Sequence, residues 1–270
     1  MARLIPFVRV LREGVTYRAK PRQAFIIERI GCDAATKCAL KVANVTTGVI
    51  DRDVAPLHKT SSNLLGMLDL GSLFYVVKPE EEFAIEADSG AKAVVVGKAL
   101  ILESGEPIPS ELEARHAEQG KHYLRKFEGS FSLGTDVAWG ADVAYEVLSI
   151  TPLTDEKIVL NGPFMVSISG DTVNEGDFAV ELWLDNVPLE NITAENWYAG
   201  YDVKYAPYPP ADATEMVALS FKDNPIEVLG DHTLSVKVRN VSGASKSPAS
   251  GSSWTVKVKF IAEYLKMSSR

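Results

Sequence analysis

Apolar and polar residues alternate with a period of two along two runs near the end of the chain, residues 233–239 and 254–260. A loop made almost wholly of Ser, Gly, Ala and Pro separates the runs. Because successive side chains of a strand point to opposite faces, each run predicts a strand with one buried and one solvated face. We expect the two strands to form one hairpin.

A similar arrangement recurs before the middle of the chain. An alternating run at residues 83–87 is followed by the turn Asp88-Ser89-Gly90 and by an apolar run at residues 91–102, which again predicts a hairpin. Short strand-like runs separated by Gly, Pro or Asp also precede residue 50 and recur every ten residues or so after residue 130. This spacing is typical of a β-sandwich and not of alternating strands and helices.

One stretch between these β-rich regions predicts a helix. Pro109 precedes Ser110, Glu113 follows three residues later as in a capping box, and Gly120 ends the run. We therefore predict an all-β fold of two sandwich or jelly-roll domains in tandem, residues 1–104 and 130–270, joined by a short helical linker at residues 105–129.

Charge and hydropathy exclude several classes of partner. The chain of 270 residues has a formal net charge of −8 with acidic and basic residues interspersed, so direct nucleic-acid binding is not expected. No run reaches the roughly 20 apolar residues of a membrane span. The first residues lack the apolar core of a signal peptide, which predicts synthesis in a cytoplasm.

The metal-binding and redox residues are few. Cys32 and Cys38 flank a turn-like segment, and a hairpin there would place them opposite each other, either as a disulfide or as two half-buried thiols. Residues 171–177 are rich in oxygen ligands, but their spacing differs from that of a calcium loop and favours a hairpin turn. The histidines show no ligand spacing: His58, His116, His122 and His232. We expect no metal and no cofactor.

Motifs of the common enzyme classes do not occur in the sequence, including the nucleophile elbow, the phosphate-binding loop, the dinucleotide fingerprint and the His-Glu-x-x-His zinc motif. Glu113 and His116 form one Glu-x-x-His pair, but di-iron bundles need a second pair, so we interpret this one as a surface pair. The sequence therefore predicts a protein that is not an enzyme.

The most aromatic stretch of the chain covers residues 197–210. Three interpretations fit this stretch. Exposed tyrosine and tryptophan can anchor a protein interface, or they can stack on sugar rings. The third interpretation is a loop that folds back over the sandwich. The candidate binding residues are Trp197, Tyr198, Tyr201, Tyr205 and Tyr208. Glycosylation sequons begin at Asn44, Asn191 and Asn240, and they matter only if the protein reaches a glycosylating compartment.

Two patterns carry a resemblance to a known family. The first runs from Gly14-Val15-Thr16-Tyr17 to the apolar strand at residues 25–30, and the second joins residues 181–189 to residues 230–234 and the final two runs. Together they resemble the jelly-roll coat and minor capsid proteins of icosahedral viruses, including the tandem jelly rolls of double-barrel major capsid proteins. No membrane-facing N-terminal helix of the double-barrel family is visible.

This resemblance implies a structural protein that self-assembles as a capsid or capsid-associated subunit, as coat, decoration or turret. Its location would be the virion, and its partners would be copies of itself and other capsid proteins. The alternative is a β-sandwich module that binds a carbohydrate, a receptor or a cell surface. Exposure of Trp197, Tyr198 and Tyr201 in a groove would favour that alternative.

Overall fold

The computed structural model describes residues 3–57, 67–162, 164–174, 176–189 and 225–267. Two compact units divide the chain, Met1–Lys126 with Glu263–Leu265, and Phe127–Ala262 with Lys266–Arg270. With 53% strand and 5% helix, the structure confirms the predicted all-β fold.

Two antiparallel sheets form the first unit. One has the order β1-β9-β3-β6 with β7 also beside β3, and the other has the order β2-β8-β4-β5. The strands are β1 (Arg3–Arg12), β2 (Tyr17–Arg18), β3 (Gln23–Cys32), β4 (Cys38–Val42), β5 (Val45–Thr46), β6 (Leu68–Asp69), β7 (Tyr75–Val77), β8 (Glu82–Ala87) and β9 (Lys92–Ile101). A short 3-10 helix, Gly71–Leu73, precedes β7.

The strand pairs of the first unit are nested along the chain. Strand β1 pairs with β9, β2 with β8, β3 with β6 and β7, and β4 with β5. Ala43 and Asn44 close the innermost pair with φ angles of 46° and 70°, the left-handed conformation of a two-residue hairpin turn. A long hairpin whose successive pairs lie in alternate sheets is a jelly roll.

The second unit repeats this nested order. Its sheets have the orders β10-β18-β12-β16, with β13 also beside β18, and β11-β17-β14-β15. The strands of these sheets are β10 (His122–Ser132), β11 (Ala144–Ile150), β12 (Glu156–Leu160), β13 (Phe164–Ser169), β14 (Phe178–Leu184), β15 (Val187–Pro188), β16 (Ile226–Leu229), β17 (Leu234–Asn240) and β18 (Thr255–Lys266). Residues 122–126 of β10 and Glu263–Leu265 of β18 belong to the first unit. The predicted tandem of jelly rolls is thus confirmed as the fold of the chain.

Both predicted hairpins are wrong, although all four of their strands exist. Strands β17 and β18 lie in different sheets of the second unit, and β8 and β9 lie in different sheets of the first. In the second unit, Phe178 lies in the same sheet as β17, and its ring is 5.4 Å from that of Trp254, the residue before β18, so the two sheets pack across a sandwich core. Alternation of apolar and polar residues predicts which face of a strand is buried. It does not predict the pairing, because the same face is buried whether two strands are neighbours in one sheet or pack against each other from opposite sheets.

Asn240 anchors the loop that leads from β17 to β18. Its side chain is fully buried, and its Nδ2 donates to the carbonyl oxygens of Trp139, Gly140 and Ala244 at 3.0, 3.1 and 2.8 Å. Its Oδ1 accepts hydrogen bonds from the backbone N–H and the hydroxyl of Ser242. The sequon at Asn240 is therefore inaccessible in the folded chain, whereas Asn44 is exposed and Asn191 lies outside the described residues.

A buried ion pair lies in the first unit. Lys126 Nζ lies 2.8 Å from Asp51 Oδ2, and the two side chains are 3% and 0% exposed. The carbonyl oxygen of Thr36 accepts a further hydrogen bond from Lys126, and Asp51 Oδ1 accepts one from the N–H of Asp53. Both charges are thus compensated by hydrogen bonds as well as by each other, as buried charges require.

The predicted capping box of the helix is wrong. Helix α1 (Ser110–Glu118) has Pro109 at its N-cap, and no side chain caps its first turn. Ser110 is the first helical residue, so its hydroxyl is not at the position from which it would accept a bond from the N3 amide. Glu113 instead pairs with Lys78, and His116 Nε2 lies 2.9 Å from Glu81 Oε2. The surface-pair interpretation of Glu113 and His116 agrees with these separate partners.

Helix α1 packs within the first unit and protects one edge of its sheet. Gln119 Oε1 accepts the N–H of Val76 at 2.9 Å, and its Nε2 donates to the carbonyl of the same residue at 3.2 Å. The side-chain amide thus takes the place of a neighbouring strand beside β7. The predicted linker at residues 105–129 therefore contains a helix of the first unit, and the domain boundaries themselves stay a prediction.

Cys32 and Cys38 are free thiols, and both are fully buried. A hydrogen bond between the Cys38 thiol and Cys32, together with burial, raises the pKa of Cys38 far above its usual range. In the described structure the two cysteines are thus thiols, and they are fully buried where the thiol interpretation expected half-burial.

Thr36 holds the carboxylate of Asp88 beside the turn between these cysteines. Its hydroxyl and its backbone N–H donate to the two carboxylate oxygens, both at 2.7 Å, and these bonds lower the pKa of Asp88. Because folding lowers this pKa, the interaction stabilises the fold above the pKa of the unfolded chain, and the stabilisation is lost as pH falls through the folded-state pKa.

We expect Thr36→Val to raise the pKa of Asp88, because the hydroxyl bond is lost while the backbone bond remains. An NMR titration of the side-chain carboxyl groups measures the change. Asp185, whose pKa is lowered by His232 and by the N–H of Thr233, is the internal control and keeps its titration. An unchanged titration of Asp88 would contradict the role of the hydroxyl.

Candidate assembly surface

Strand β1 is the open edge of the larger sheet in the first unit. Among the residues that the structure describes, it pairs along its length with β9 alone. Proline has no N–H to donate to a neighbouring strand, so the backbone groups at Pro6 point away from β9. Backbone groups alternate in direction along a strand, so the N–H and C=O groups of Leu4, Val8 and Val10 also point away from β9. The bond from the N–H of Glu13 to the carbonyl of Ala91 fits this assignment, because odd-numbered residues then face β9.

The same even-numbered residues present apolar side chains on the outer face of the sheet. Leu4, Val8 and Val10 are 56%, 65% and 46% exposed. Val96 and Val94 of β9 lie opposite Val8 and Val10 and are half-buried. We call these five residues, Leu4, Val8, Val10, Val94 and Val96, the apolar stripe.

One end of this sheet face is covered by the segment that carries the helix. Ile108 and Leu112 pack against Ala24, Leu100 and Leu102, which are buried at 0%, 4% and 6% exposure. Leu100 is the direct cross-strand neighbour of Leu4. This end of the sheet face is therefore buried under Ile108 and Leu112. Within the described residues, that covering segment does not extend to Val8 and Val10.

Positive charge accompanies the stripe. Strand β1 contains Arg3, Arg9 and Arg12 and no acidic residue, in a chain whose net charge is −8. The guanidinium carbon of Arg9 lies 5.4 Å from the ring centroid of Tyr17 and 5.9 Å from that of Phe7. These cation–π contacts hold the Arg9 charge at the sheet edge, where it is half-buried.

The binding residues predicted from the aromatic stretch cannot be placed. Trp197, Tyr198, Tyr201, Tyr205 and Tyr208 all lie outside the described residues. One aromatic residue that the structure does describe on a sheet face is Trp183, and Lys237 Nζ lies 3.9 Å from its ring centroid. A cation thus occupies one face of this ring.

Other candidate sites from the sequence do not converge. Asp177, in the segment rich in oxygen ligands, pairs with Lys246 at 2.7 Å. Among the residues that the structure describes, no three His, Cys, Asp or Glu side chains are grouped as a metal site. The helix in the described part of the chain is not long and apolar enough to cross a membrane.

Sequence reasoning missed the apolar stripe, although its signal is present. Residues 4–11 predict a strand, and Phe7 and Leu11 supply the buried face that such a strand needs. The opposite face carries Leu4, Val8 and Val10, so the strand is apolar on both faces. This pattern is normal for a central strand, and only the topology reveals that β1 lies at an edge.

Comparisons with known proteins identify distant structural neighbours. No protein-family model and no curated protein matches the chain. The major capsid protein P2 of bacteriophage PM2 is 10% identical, with 98% of this chain and 99% of that chain covered and a TM-score of 0.38. The STIV MCP, a viral capsid protein, is 8% identical, with 98% and 97% covered and a TM-score of 0.40.

A plant protein, the ANX2 ectodomain of Arabidopsis thaliana, is 8% identical, with 97% of this chain and 83% of that chain covered and a TM-score of 0.29. Viral capsid proteins are thus among the structural neighbours, as the resemblance in the sequence predicted. Because all three TM-scores lie below 0.5, these likenesses assign no function to the chain.

Proposed function

We propose that this chain is a structural protein that acts by self-assembly, as a virus capsid or capsid-associated subunit. The observation that carries the proposal is the apolar stripe, in which Val8 and Val10 are exposed next to each other and Leu4 is exposed further along the same face, beyond Pro6. Exposed apolar patches on a protein surface mark contacts with other proteins. A copy of the same chain or another capsid protein is the partner we propose.

Burial of the apolar stripe by another protein is energetically favourable. Burial of a valine or leucine side chain stabilises a complex by roughly 1.5–3 kcal/mol before ordering costs are subtracted. A β-sheet loses little conformational entropy on binding, because its backbone is already fixed. The aromatic stretch at residues 197–210 is a second proposed contact, and the virion is the location that both proposals imply.

Charge on the stripe tests the proposal. We expect the double variant Val8→Lys/Val10→Lys to raise the concentration needed for assembly by about tenfold or more, because two lysines must lose water in the contact. Sedimentation velocity over a concentration series, with electron microscopy of the heavier species, gives the measurement. The matched control is Leu153→Lys/Val187→Lys in the second unit, where the side chains are 63% and 62% exposed.

The control should assemble as the unchanged protein does. Equal assembly of both double variants would exclude the stripe as the contact. A chain that stays monomeric at all concentrations and is never recovered with particles, yet binds a glycan that Trp197→Ala abolishes, would replace assembly by the carbohydrate-binding function.

A further inference from the structure

The two edges of the larger sheet in the first unit are treated differently. Beside β7, the amide of Gln119 bonds both backbone groups of Val76, so that edge is closed by a side chain. Strand β1, ten residues long, leaves the outward backbone groups of Leu4, Val8 and Val10 without a partner in the part of the chain that the structure describes. A long open edge is a template for another strand.

The side chains of β1 specify which segment would fit. A strand added to this edge places its own side chains directly opposite those of β1, on the same two faces. On the outer face it would meet Leu4, Val8 and Val10, and on the other face it would meet Arg3 and Arg9 among the apolar residues of that face, Ile5, Phe7 and Leu11. The matching segment therefore carries apolar residues on the face of the stripe and acidic residues opposite Arg3 and Arg9 on the other face.

A second copy of β1 fits this edge poorly. Each copy would bring Arg3, Arg9 and Arg12 to the pair, and the strand contains no acidic residue to oppose them. Like charges across a strand pair are destabilising. The charge of β1 thus favours a heterologous contact, which can repeat around a ring or shell.

We propose that β1 binds an extended acidic–apolar segment of another subunit by strand addition. The proposal rests on the assembly function and adds the binding mode and the chemistry of the partner. Main-chain hydrogen bonds to Leu4, Val8 and Val10 supply affinity, and Arg9 with the apolar stripe supplies register.

A peptide tests strand addition apart from assembly. The probe is an acetylated ten-residue peptide in which valine and glutamate alternate, added to the full chain at a concentration where sedimentation shows one species. Amide hydrogen exchange by NMR is expected to slow about tenfold or more at Leu4, Val8 and Val10. The amides of Phe7, Arg9 and Leu11 face β9 already and keep their protection.

Two controls sharpen the test. A peptide of the same composition with its valines and glutamates in separate blocks should not protect these amides. Arg9→Gln should weaken binding of the alternating peptide by about fivefold, the upper range for one cross-strand charge pair. Arg29→Gln removes an equal charge from the central strand β3 and should leave binding unchanged, because the edge does not include it.

The two proposals fail separately. Equal binding of both peptides, or no added protection at Leu4, Val8 and Val10, would overturn strand addition even if the stripe variants abolish assembly. Specific protection by the alternating peptide in a chain that never assembles would uphold strand addition and reject the assembly function.

Discussion

Replacement of Lys126 by methionine is expected to lower the free energy of unfolding of the first unit by about 3–5 kcal/mol. Methionine fills similar volume but removes the ammonium group that lies 2.8 Å from the fully buried carboxylate of Asp51. The N–H of Asp53 still donates to that carboxylate, yet a neutral donor offsets less of a buried charge than a cation does. Native-state hydrogen exchange of the β3 and β9 amides in a urea series reports the unfolding of this unit.

Two variants set the limits of this result. Lys98→Met removes a lysine that lies 2.7 Å from Glu28, in a pair whose side chains are 51% and 38% exposed, and should cost at most about 1 kcal/mol. Asp51→Leu combined with Lys126→Met should recover most of the loss, since no unpaired charge remains. A loss for Lys126→Met no larger than that for Lys98→Met would show that Asp51 is compensated by other groups.

The second unit is expected to lose about 2–4 kcal/mol of unfolding free energy in Asn240→Ala. The change removes the donor shared by three carbonyl oxygens and the acceptor used by Ser242, at a site with no exposure to water. The tryptophans that the structure describes, Trp139, Trp183 and Trp254, belong to this unit, so tryptophan fluorescence during urea unfolding follows its transition.

An aspartate at position 240 distinguishes the contribution of hydrogen bonding from that of side-chain packing. Asn240→Asp keeps the shape but turns the donor toward the three carbonyls into a carboxylate oxygen, so at neutral pH it should destabilise the unit at least as much as alanine does. Ser242→Ala removes the hydroxyl, with its bonds to Asn240 Oδ1 and to the carbonyl oxygen of Ala244, but keeps the Nδ2 bonds, and should cost about 1 kcal/mol. An aspartate variant as stable as the unchanged protein would rule out the donor role of Nδ2.

The sequence predicts the strands better than it predicts their partners. Alternation at Val236 and Val258 identified buried faces correctly, because burial depends on the residue and its immediate neighbours. Pairing depends on where the loop between two strands ends, and Asn240 turns that loop through contacts with Trp139 and Gly140, distant in sequence. Local periodicity contains no information about such contacts.

The same limit applied to the helix and to the assembly surface. The spacing of Ser110 and Glu113 fits a capping box, but Pro109 begins the helix one residue earlier and Lys78 takes the carboxylate of Glu113. Leu4, Val8 and Val10 belong to a run that predicts a strand, and sequence pattern does not distinguish an edge strand from a central one. The aromatic residues 197–210 remain a prediction.

The nested strand pairs of each unit also set an order in which the chain can fold. In the first unit Val42 pairs with Val45 across a two-residue turn, whereas Arg3 pairs with Ile101. Because the entropic cost of closing a loop grows with its length, the inner strand pairs form at low cost. The outer pair forms at a high cost unless the inner pairs have already shortened its loop. We expect folding to spread from the β4–β5 turn outward over about milliseconds to seconds, as in other folds dominated by distant contacts. Strand β1 would then be the last strand to join its sheet and the first to leave it.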